Sequence, residues 1–330
     1  MRKITYAQAL NEAIREEMQR DSRVFIYGED VGLLGGVMGV TRGLLEEFGE
    51  ERVRGCPLSE TAIAGSGVGA AITGTRPIVE IMYADFLAVC FDEVYNKAAK
   101  WRYAHGGQFT VPLVIRTAMG HAHGTSEEHS QCPEALFMHT PGLKIALPSN
   151  AYDAKGLLKT AIRDDNPVLF FEHKLLYRKK EEVPEEEYLI PFGNAKIKKE
   201  GKDITVLATS LMVERAMEAS KELEKESIDL EVIDLRTIVP LDKETILNSV
   251  NKTGHLVIIE EANKTGSVGG EITAIVQEEA FSVLKKPIKR ISSLDVPIPY
   301  NLKLESFVIP STARIIEELK IFLKNKIKYN

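Results

Sequence analysis

The sequence has few cysteines and lacks the segments that mark secreted and membrane proteins. Its three cysteines, Cys56, Cys90 and Cys132, are odd in number, lie far apart and show no metal-type CxxC spacing. This usage excludes a disulfide framework and indicates a reducing cytoplasm. The sequence has no apolar run of the roughly 18 residues that a membrane span needs, and its N-terminus has no apolar stretch typical of a signal peptide. We therefore expect a cytoplasmic protein with no membrane partner.

An excess of positive charge is also missing. The 42 Lys and Arg residues against 48 Asp and Glu residues give a formal charge of −6, and the one short basic run lies around Lys324, Lys326 and Lys328. Nucleic acid is therefore not an expected partner. The 44% hydrophobic and 27% charged content is that of a globular protein. At 330 residues the chain exceeds what one hydrophobic core usually serves, so we expect two domains.

Apolar strands alternate with helical patterns in both halves of the chain. Such strands indicate parallel sheets covered on both faces, and in the first half they are VFIYG, RPIVEIM, VPLVIRTAM and PVLFFEH. A charge-dense stretch over 177–203 separates them from a second alternation that begins at ITVLAT. We predict an α/β protein of two parallel-sheet domains, residues 1–180 and 203–330, joined by a linker over 181–202.

The stretch CPLSETAIAGSGVGAAITG, residues 56–74, reads as a helix rich in glycine. Its interior holds Gly65, Gly67 and Gly69, and each costs about 1 kcal/mol against alanine in a helix. With Ala70 they match G-x-G-x-x-A, but a dinucleotide site needs that motif directly after a strand, at the start of a helix. Besides a dinucleotide site, which this mismatch disfavours, two alternatives are open: close packing of the helix within the chain, or packing across a subunit interface with the acid Glu60 facing a ligand.

Glu60 stands at the start of this predicted helix. An acid there is favourable with the helix dipole in any protein, so its position alone assigns no role. Its neighbours are apolar or small, which predicts partial burial of the carboxylate. Burial would raise the pKa of Glu60 and the helix dipole would lower it, so the sign of the shift stays open.

Two further segments follow predicted strands, where open α/β sheets place their ligands. The loop over 117–132 holds His121, His123 and His129. It could bind a metal, or line a pocket in which one histidine transfers a proton or donates a hydrogen bond; His121 and His123 could also be plain surface residues. In EIMYADF, Tyr83 and Phe86 either belong to the core or wall a flat heteroaromatic ring.

Nine short blocks along the whole chain carry a specific resemblance to a known family. They are ITYAQALNEA, YGEDVG, SETAIAG, VEIMYADF, EHSQ, DNPVLFFEHK, DLRTIVPLD, EEANKTGSVGGEI and DVPIPY. In this order they resemble the β subunit of the thiamine-diphosphate-dependent decarboxylating component of 2-oxoacid dehydrogenase complexes. Pyruvate and acetoin dehydrogenase β subunits look most similar.

The resemblance implies a fold, an activity and partners. It implies a pyrimidine-binding domain followed by a transketolase C-terminal-like domain, and an α2β2 heterotetramer with thiamine diphosphate between α and β chains. The implied reaction is oxidative decarboxylation of a 2-oxoacid, pyruvate first, with acyl transfer to the lipoyl group of a dihydrolipoamide acyltransferase core. The chain has no GDG motif, so the diphosphate and Mg²⁺ are expected on the α subunit.

The same resemblance implies roles for individual residues. Glu60 matches the glutamate that hydrogen-bonds N1′ of the aminopyrimidine and promotes removal of the thiazolium proton. Phe86, with Tyr83 beside it, matches the aromatic contact to the pyrimidine. His129 matches the histidine that steadies the substrate-derived group or guides the lipoyl group. Glu29 lies in the GEDV block near the cofactor and matches the acidic relay between the cofactor sites. The positions that match a structural potassium site are Leu113, Ala161, Ile162, Asp164 and Asn166.

One loop departs from the family pattern, and other functions remain open. The family loop resembles GGG-x-x-x-G-x-QHSQ, whereas this chain has GHAHGTSEEHSQ, with His121, His123 and Glu127 in bulkier and more polar positions. The departure leaves substrate preference open between pyruvate, a branched-chain 2-oxoacid and acetoin, and the docking acyltransferase is open as well. The alternatives of another class are a non-catalytic assembly subunit and an unrelated nucleotide-binding protein.

Overall fold

The computed structural model describes residues 1–324. Its α-helices are α1 (Tyr6–Arg20), α2 (Leu44–Phe48), α3 (Glu60–Ile72), α4 (Ala99–Ala104), α5 (Glu134–Met138), α6 (Ala151–Arg163), α7 (Leu211–Glu224), α8 (Lys243–Thr253), α9 (Val268–Ala280), α10 (Leu302–Val308) and α11 (Thr312–Lys324). Short 3₁₀ segments lie at Val37–Gly39, Ala84–Ala88, Lys174–Leu176 and Phe281–Val283, and a π-helical turn at Glu93–Ala98 leads into α4.

The strands form two main sheets and one small ribbon. They are β1 (Arg2–Thr5), β2 (Val24–Glu29), β3 (Val53–Cys56), β4 (Arg76–Ile81), β5 (Val114–Met119), β6 (Lys144–Ala146), β7 (Val168–His173), β8 (Lys180–Val183), β9 (Lys196–Lys199), β10 (Ile204–Ala208), β11 (Leu230–Asp234), β12 (Thr237–Val239), β13 (Leu256–Asn263) and β14 (Lys289–Ser293). The first sheet has the order β12-β6-β7-β5-β4-β2-β3 and the second β14-β13-β10-β11-β9.

Both sheets are parallel apart from one edge strand each. In the first sheet β12 pairs antiparallel with β6, and in the second β9 pairs antiparallel with β11. The central strands β5, β7, β10 and β11 are buried at every residue, as expected where helices cover both faces of a parallel sheet. The predicted two-domain α/β fold is confirmed, and the two antiparallel edge strands were missed by the sequence reading.

The charged stretch between the sheets contains two strands that lack a clear sequence pattern. Strand β8 pairs antiparallel with β1, and β9 forms the edge of the second sheet. Strand β12 belongs to the second half of the chain but pairs with β6 at the edge of the first sheet. The second half of the chain therefore contributes one strand to the first sheet. The predicted boundaries of the linker stay predictions.

Local signals in the sequence account for the ends of several helices. Thr5 and Gln8 form the capping box predicted for α1. Asn150 accepts a hydrogen bond from the Asp153 amide at the start of α6, and Gly254 ends α8 in the left-handed conformation that glycine adopts without strain. No helix within residues 1–324 combines the length and the apolar character needed to cross a membrane.

Candidate active site

The five residues assigned to the cofactor site lie after four neighbouring strands of the first sheet. Glu29 ends β2, Glu60 begins the helix after β3, and His129 lies in the loop after β5. Tyr83 and Phe86 lie just after β4. The sheet order β5-β4-β2-β3 brings the carboxyl ends of these parallel strands to one edge, which is where open α/β sheets bind ligands.

Glu60 is the first residue of α3 and is half-buried. Its carboxylate forms no hydrogen bond or ion pair with any residue in the described range 1–324. The next residue, Thr61, donates from Oγ1 to the carbonyl of Val89 at 3.0 Å, which ties the first turn of α3 to the segment that follows Phe86. A half-buried carboxylate without a partner in its own chain is suited to bind a ligand or a neighbouring subunit.

The glycines of α3 have separate structural reasons. A Cβ at Gly67 would lie 2.9 Å from Cγ1 of Val79 and 3.1 Å from Cδ1 of Leu113, so the helix packs directly on the sheet there. A Cβ at Gly65 would lie 3.2 Å from Oε2 of Glu93, whereas one at Gly69 would meet nothing within 4 Å. The motif lies inside α3 rather than at a strand-to-helix turn, so the dinucleotide hypothesis has no structural support. Packing within the chain explains Gly67, and Gly69 lies on a face open to a partner.

The side chain of His129 is flanked by the two predicted aromatic residues. Its ring centroid lies 5.5 Å from that of Tyr83 and 5.4 Å from that of Phe86, both in edge-on arrangements. All three side chains are half-buried. Edge-on contacts of this kind hold aromatic rings in defined orientations. The structure therefore brings together three residues that lie up to 46 positions apart in the sequence, Tyr83 and His129 being the extremes.

Negative charge is concentrated at the same edge of the sheet. Burial raises the pKa of Glu29, and the nearby carboxylates of Asp30, Glu60 and Glu80 raise it further. Burial, with Glu29 as the largest charged neighbour, also raises the pKa of Tyr83. The negative charge of Glu60 thus acts on Glu29 at this edge of the sheet.

Sequence reasoning missed Lys174, which lies directly after β7. Its Nζ donates to the carbonyl oxygens of Gly120, at 3.3 Å, and of His129. The same Nζ lies 4.2 Å from the centroid of the Tyr83 ring. Burial lowers the pKa of Lys174 to about 8. A lysine at the end of the apolar strand VLFFEH, at the ligand-binding edge of the sheet, is the signal that could have identified it.

A second missed feature is the buried network around Arg116, in the middle of β5. Arg116 donates to Glu80 Oε2 at 2.6 Å and to the two carboxylate oxygens of Glu172 at 2.7 and 2.8 Å. Tyr177 donates to Glu172 at 2.7 Å, and Glu80 accepts from the amide of Val37 at 2.8 Å. The network fixes the loop before α2 against the sheet. A charged residue in the interior of each of three adjacent apolar strands was its sequence signal.

The three histidines of the loop after β5 have different environments. His121 is buried at 6% exposure and hydrogen-bonds to Glu261, so its interpretation as a surface residue is wrong. His123 is exposed, as is Glu127. Only His129 lies beside the aromatic pair. The departure from the family pattern therefore places one bulky side chain against the second domain and two side chains toward solvent.

The positions assigned to potassium lie together between the end of α6 and the strands β5 and β7. The carbonyls of Ile162 and Asp164 each accept a hydrogen bond from Arg76 Nη1 at 3.0 Å. The carbonyls of Leu113 and Ala161 accept backbone N–H bonds at 2.9 and 3.2 Å. Each of these four carbonyl oxygens therefore already accepts one hydrogen bond, and two of them accept from the positively charged Arg76.

Comparisons with known proteins assign each of the two domains to a known family. Residues 2–180 match the family described as transketolase, pyrimidine binding domain, and residues 193–315 match transketolase, C-terminal domain. The 2-oxoisovalerate dehydrogenase subunit beta of Bacillus subtilis is 47% identical over 314 residues, with 94% of this chain and 96% of that protein covered. The chain belongs to the β-subunit family of pyruvate, acetoin and branched-chain 2-oxoacid dehydrogenases.

Members of this β-subunit family with different named substrates are equally similar to the chain. The pyruvate dehydrogenase E1 component subunit beta of Rickettsia felis is 47% identical over 317 residues, covering 96% of this chain and 97% of its own. The acetoin:2,6-dichlorophenolindophenol oxidoreductase subunit beta of Cupriavidus necator is 46% identical over 324 residues, covering 95% and 96%. Overall identity therefore does not select one substrate within the family.

A solved structure shows the same fold at lower identity. It is described as a split gene transketolase in an inactive beta4 tetramer, with a TM-score of 0.80 and 22% identity, and the match covers 97% of this chain and 98% of that one. At this identity the comparison shows a shared fold and nothing about function. The β-subunit family thus shares its two-domain architecture with transketolase.

Proposed function

We propose that the chain is the catalytic β subunit of a thiamine-diphosphate-dependent 2-oxoacid dehydrogenase that acts with an α subunit, with pyruvate as the first candidate substrate. The observation that carries this proposal is the half-buried Glu60 carboxylate, which has no partner in its own chain and stands at the same sheet edge as Phe86 and His129. A ligand with a protonatable nitrogen on a flat ring satisfies both features, and the pyrimidine of thiamine is such a ligand.

Each residue of the site has a distinct task in this proposal. Glu60 holds or accepts a proton at the pyrimidine nitrogen, because a carboxyl within hydrogen-bond reach of a ring nitrogen can share a proton with it. Phe86 and Tyr83 contact the ring and exclude water. Bound thiamine diphosphate supplies a nucleophilic carbon that adds to a 2-oxo group and takes up the electron pair left by CO₂. Glu29 belongs to an acidic relay that links this cofactor site to the other cofactor site of the assembly.

His129 is placed to act on the substrate side of the cofactor. Its ring is held edge-on between Tyr83 and Phe86, and its backbone carbonyl is held by Lys174. An imidazole in this position can donate a hydrogen bond to the substrate-derived group or orient the incoming lipoyl group. We assign His129 this role in acyl transfer to the lipoyl group of an acyltransferase core.

The diphosphate and Mg²⁺ belong to the α subunit in this proposal. Mg²⁺ prefers oxygen ligands in octahedral geometry. Within residues 1–324, the one cluster of three candidate metal-binding side chains is His121, His173 and Glu261, which offers two nitrogens. It does not suit Mg²⁺, and the chain has no GDG motif. Both observations support a cofactor site completed by a partner chain.

An exposed apolar segment supports an α2β2 assembly. The segment over 294–307 in the second domain exposes six large apolar side chains: Leu294, Val296, Tyr300, Leu302, Leu304 and Phe307. A group of exposed large apolar side chains in one segment is typical of a protein interaction site, and we assign this segment to contact with another subunit. We propose that the acyltransferase core also docks on the second domain, and that the complex is cytoplasmic, in keeping with the three free thiols of the chain.

The test of the proposed function is purification of the tagged chain from its own host, followed by native mass measurement. We expect a four-chain particle whose second chain carries a GDG motif, and turnover of a 2-oxoacid that requires thiamine diphosphate. A panel of pyruvate, branched-chain 2-oxoacids and acetoin identifies the substrate. A lone homodimer that does not bind thiamine diphosphate would refute the proposal and favour an assembly or nucleotide-binding role.

Potassium is expected to stabilise the assembled protein. Binding at the carbonyls of Leu113, Ala161, Ile162 and Asp164 would raise stability by about 2.7 kcal/mol at a concentration 100 times the dissociation constant. We expect a higher Tm in KCl than in choline chloride at equal ionic strength, with LiCl as a size control. Equal melting temperatures in the three salts would show that these oxygens, two of which already accept from Arg76, hold no cation.

A further inference from the structure

Three side chains of a metal-binding type meet between the two domains. They are His121 from the loop after β5, His173 at the end of β7, and Glu261 in β13. One ligand atom from each lies within 4.8 Å of the others, and all three residues are 9% exposed or less. Two imidazoles and one carboxylate form a donor set that binds zinc and other transition metals. A metal site is therefore the first hypothesis for this cluster.

Each histidine has one ring nitrogen that faces Glu261 and one, the outward nitrogen, that faces away from it. The hydrogen bonds of the two outward nitrogens argue against a metal. Nε2 of His121 lies 3.1 Å from Nη2 of Arg215, and a guanidinium only donates hydrogen bonds. Nδ1 of His173 accepts from the backbone amide of Leu175 at 3.1 Å. A neutral imidazole has one N–H and one acceptor nitrogen. With both outward nitrogens accepting, both N–H groups lie on the inward side.

Those inward N–H groups donate to Glu261. His121 Nδ1 lies 2.7 Å from Oε1, and His173 Nε2 lies 2.8 Å from Oε2. Oε1 also accepts from the backbone amide of His121 at 2.8 Å. Binding a metal at the inward nitrogens would move both hydrogens outward, where they would face the donors of Arg215 and Leu175. The surroundings therefore favour two neutral histidines and one ionised carboxylate.

The pKa shifts agree with a neutral His173 and an ionised Glu261. Burial lowers the pKa of His173, so its ring is neutral at physiological pH. Burial acts to raise the pKa of Glu261, yet that pKa lies well below the ordinary value, so the carboxylate is ionised. A carboxylate that accepts three N–H groups is stable in the ionised form even when it is desolvated. The cluster is thus a satisfied hydrogen-bond network that needs no ion.

This network holds the start of the loop that carries His129. His121 is the second residue of the loop, and Gly120 before it has a φ of 79°. A Cβ at Gly120 would lie 2.3 Å from Nε2 of His173, so the loop passes directly over that ring. Further along, Glu305 of α10 accepts from the amide of Gly124 at 3.1 Å. The second domain therefore holds this loop at two points.

We propose that His121 and His173 form a neutral two-histidine clamp on Glu261, through which the second domain positions the His129 loop for catalysis. This inference rests on the proposed function, because His129 needs positioning only if it acts at the cofactor site. His121 and His173 are positioning residues, since they reach the reaction through the loop. The clamp also explains the departure from the family pattern at position 121, where a glycine could not donate to Glu261 from a side chain.

The test uses substitutions that keep or remove one donated N–H in the assembled enzyme. Asparagine places its amide nitrogen near the position of Nδ1, and glutamine near that of Nε2. We expect His121→Asn and His173→Gln to keep kcat within about threefold of the unmodified enzyme. We expect His121→Ala and His173→Ala to lower kcat by about 10²-fold, as an ångström-scale displacement of a catalytic group does, with KM little changed. His123→Asn, in the exposed part of the same loop, is the matched control.

Zinc binding separates the clamp from a metal site. The full chain is incubated with Zn²⁺, exchanged into metal-free buffer and analysed for zinc content. We expect no stoichiometric zinc in any of the proteins. One zinc per chain, lost in His121→Asn and His173→Gln together with activity, would overturn the clamp. Full kcat in both alanine variants would overturn the positioning role.

An NMR measurement tests the clamp independently of turnover. Long-range ¹H–¹⁵N spectra of the full chain distinguish histidine tautomers, and we expect Nδ1–H for His121 and Nε2–H for His173. Opposite tautomers or charged rings at neutral pH would refute the clamp even if the enzyme is active. If these tautomers are found but no substrate is turned over, the proposed function fails and the clamp remains as a structural link between the domains.

Discussion

Replacing Glu60 by glutamine is expected to lower turnover of the assembled α and β chains by about 10³-fold, within the range that loss of a general acid or base produces. An amide of the same shape cannot exchange a proton with the pyrimidine nitrogen. The Glu60 side chain forms no hydrogen bond with residues 1–324 of its own chain, so its replacement should leave folding unchanged. The measurement is steady-state turnover with saturating thiamine diphosphate, beside native mass and Tm.

The matched control for this variant is Glu244→Gln. Glu244 also lies in the first turn of a helix, α8, and it is exposed in the second domain. Loss of its charge changes the same helix-dipole interaction without touching the site, so turnover should stay at the original level. If Glu60→Gln turns over normally, Glu60 is only a helix-start acid and the catalytic proposal is wrong. If it assembles and is inactive, the non-catalytic alternative is excluded.

Replacing Arg116 by methionine is expected to destabilise the protein by about 3–5 kcal/mol, the typical cost of removing one partner from a buried ion network. Arg116, Glu80 and Glu172 are each 1% exposed or less. Without the guanidinium, two carboxylates would stay buried at short range with no compensating charge. Thermal and urea unfolding of the assembled protein measure the loss, and we expect a lower Tm and a lower urea midpoint.

Two further variants show whether unpaired charge causes that loss. Lys225→Met removes a cation that pairs with Glu222 at the surface, and we expect no change in Tm. The triple variant Arg116→Met, Glu80→Gln and Glu172→Gln removes the charges together, so it should recover part of the stability lost in Arg116→Met. An unchanged Tm in Arg116→Met would mean that the three charges make no net contribution to folding.

The sequence could predict which residues come together in the candidate site, because the geometry of parallel sheets is regular. Glu29, Tyr83, Phe86 and His129 each follow an apolar strand in the sequence, and carboxyl ends of neighbouring parallel strands meet at one edge. Glu60 differs, since its role came from the family resemblance of the SETAIAG block. The structure places all five at that edge, while the chemical role of each remains a proposal.

Residues that act through pairing were not predictable in the same way. Arg116 meets Glu80 across 36 positions and Glu172 across 56 positions. The sequence shows three charges in apolar strands, but strand order and register decide whether such charges meet. Lys174 was missed because its target is a pair of backbone carbonyls, which have no sequence signal. The short strands β9 and β12 were missed because edge strands of three or four residues have too little pattern to detect.

The sequence by itself determined the family, the two α/β domains and the absence of a diphosphate motif, because alternation of apolar strands and family blocks are properties of the linear chain. The tertiary structure alone decided that His121 is buried on Glu261, 140 positions away. It also decided, through Arg215 and Leu175, where the imidazole hydrogens lie. A linear pattern records what each residue favours, whereas the hydrogen-bond partners of a buried histidine are set by which elements pack around it.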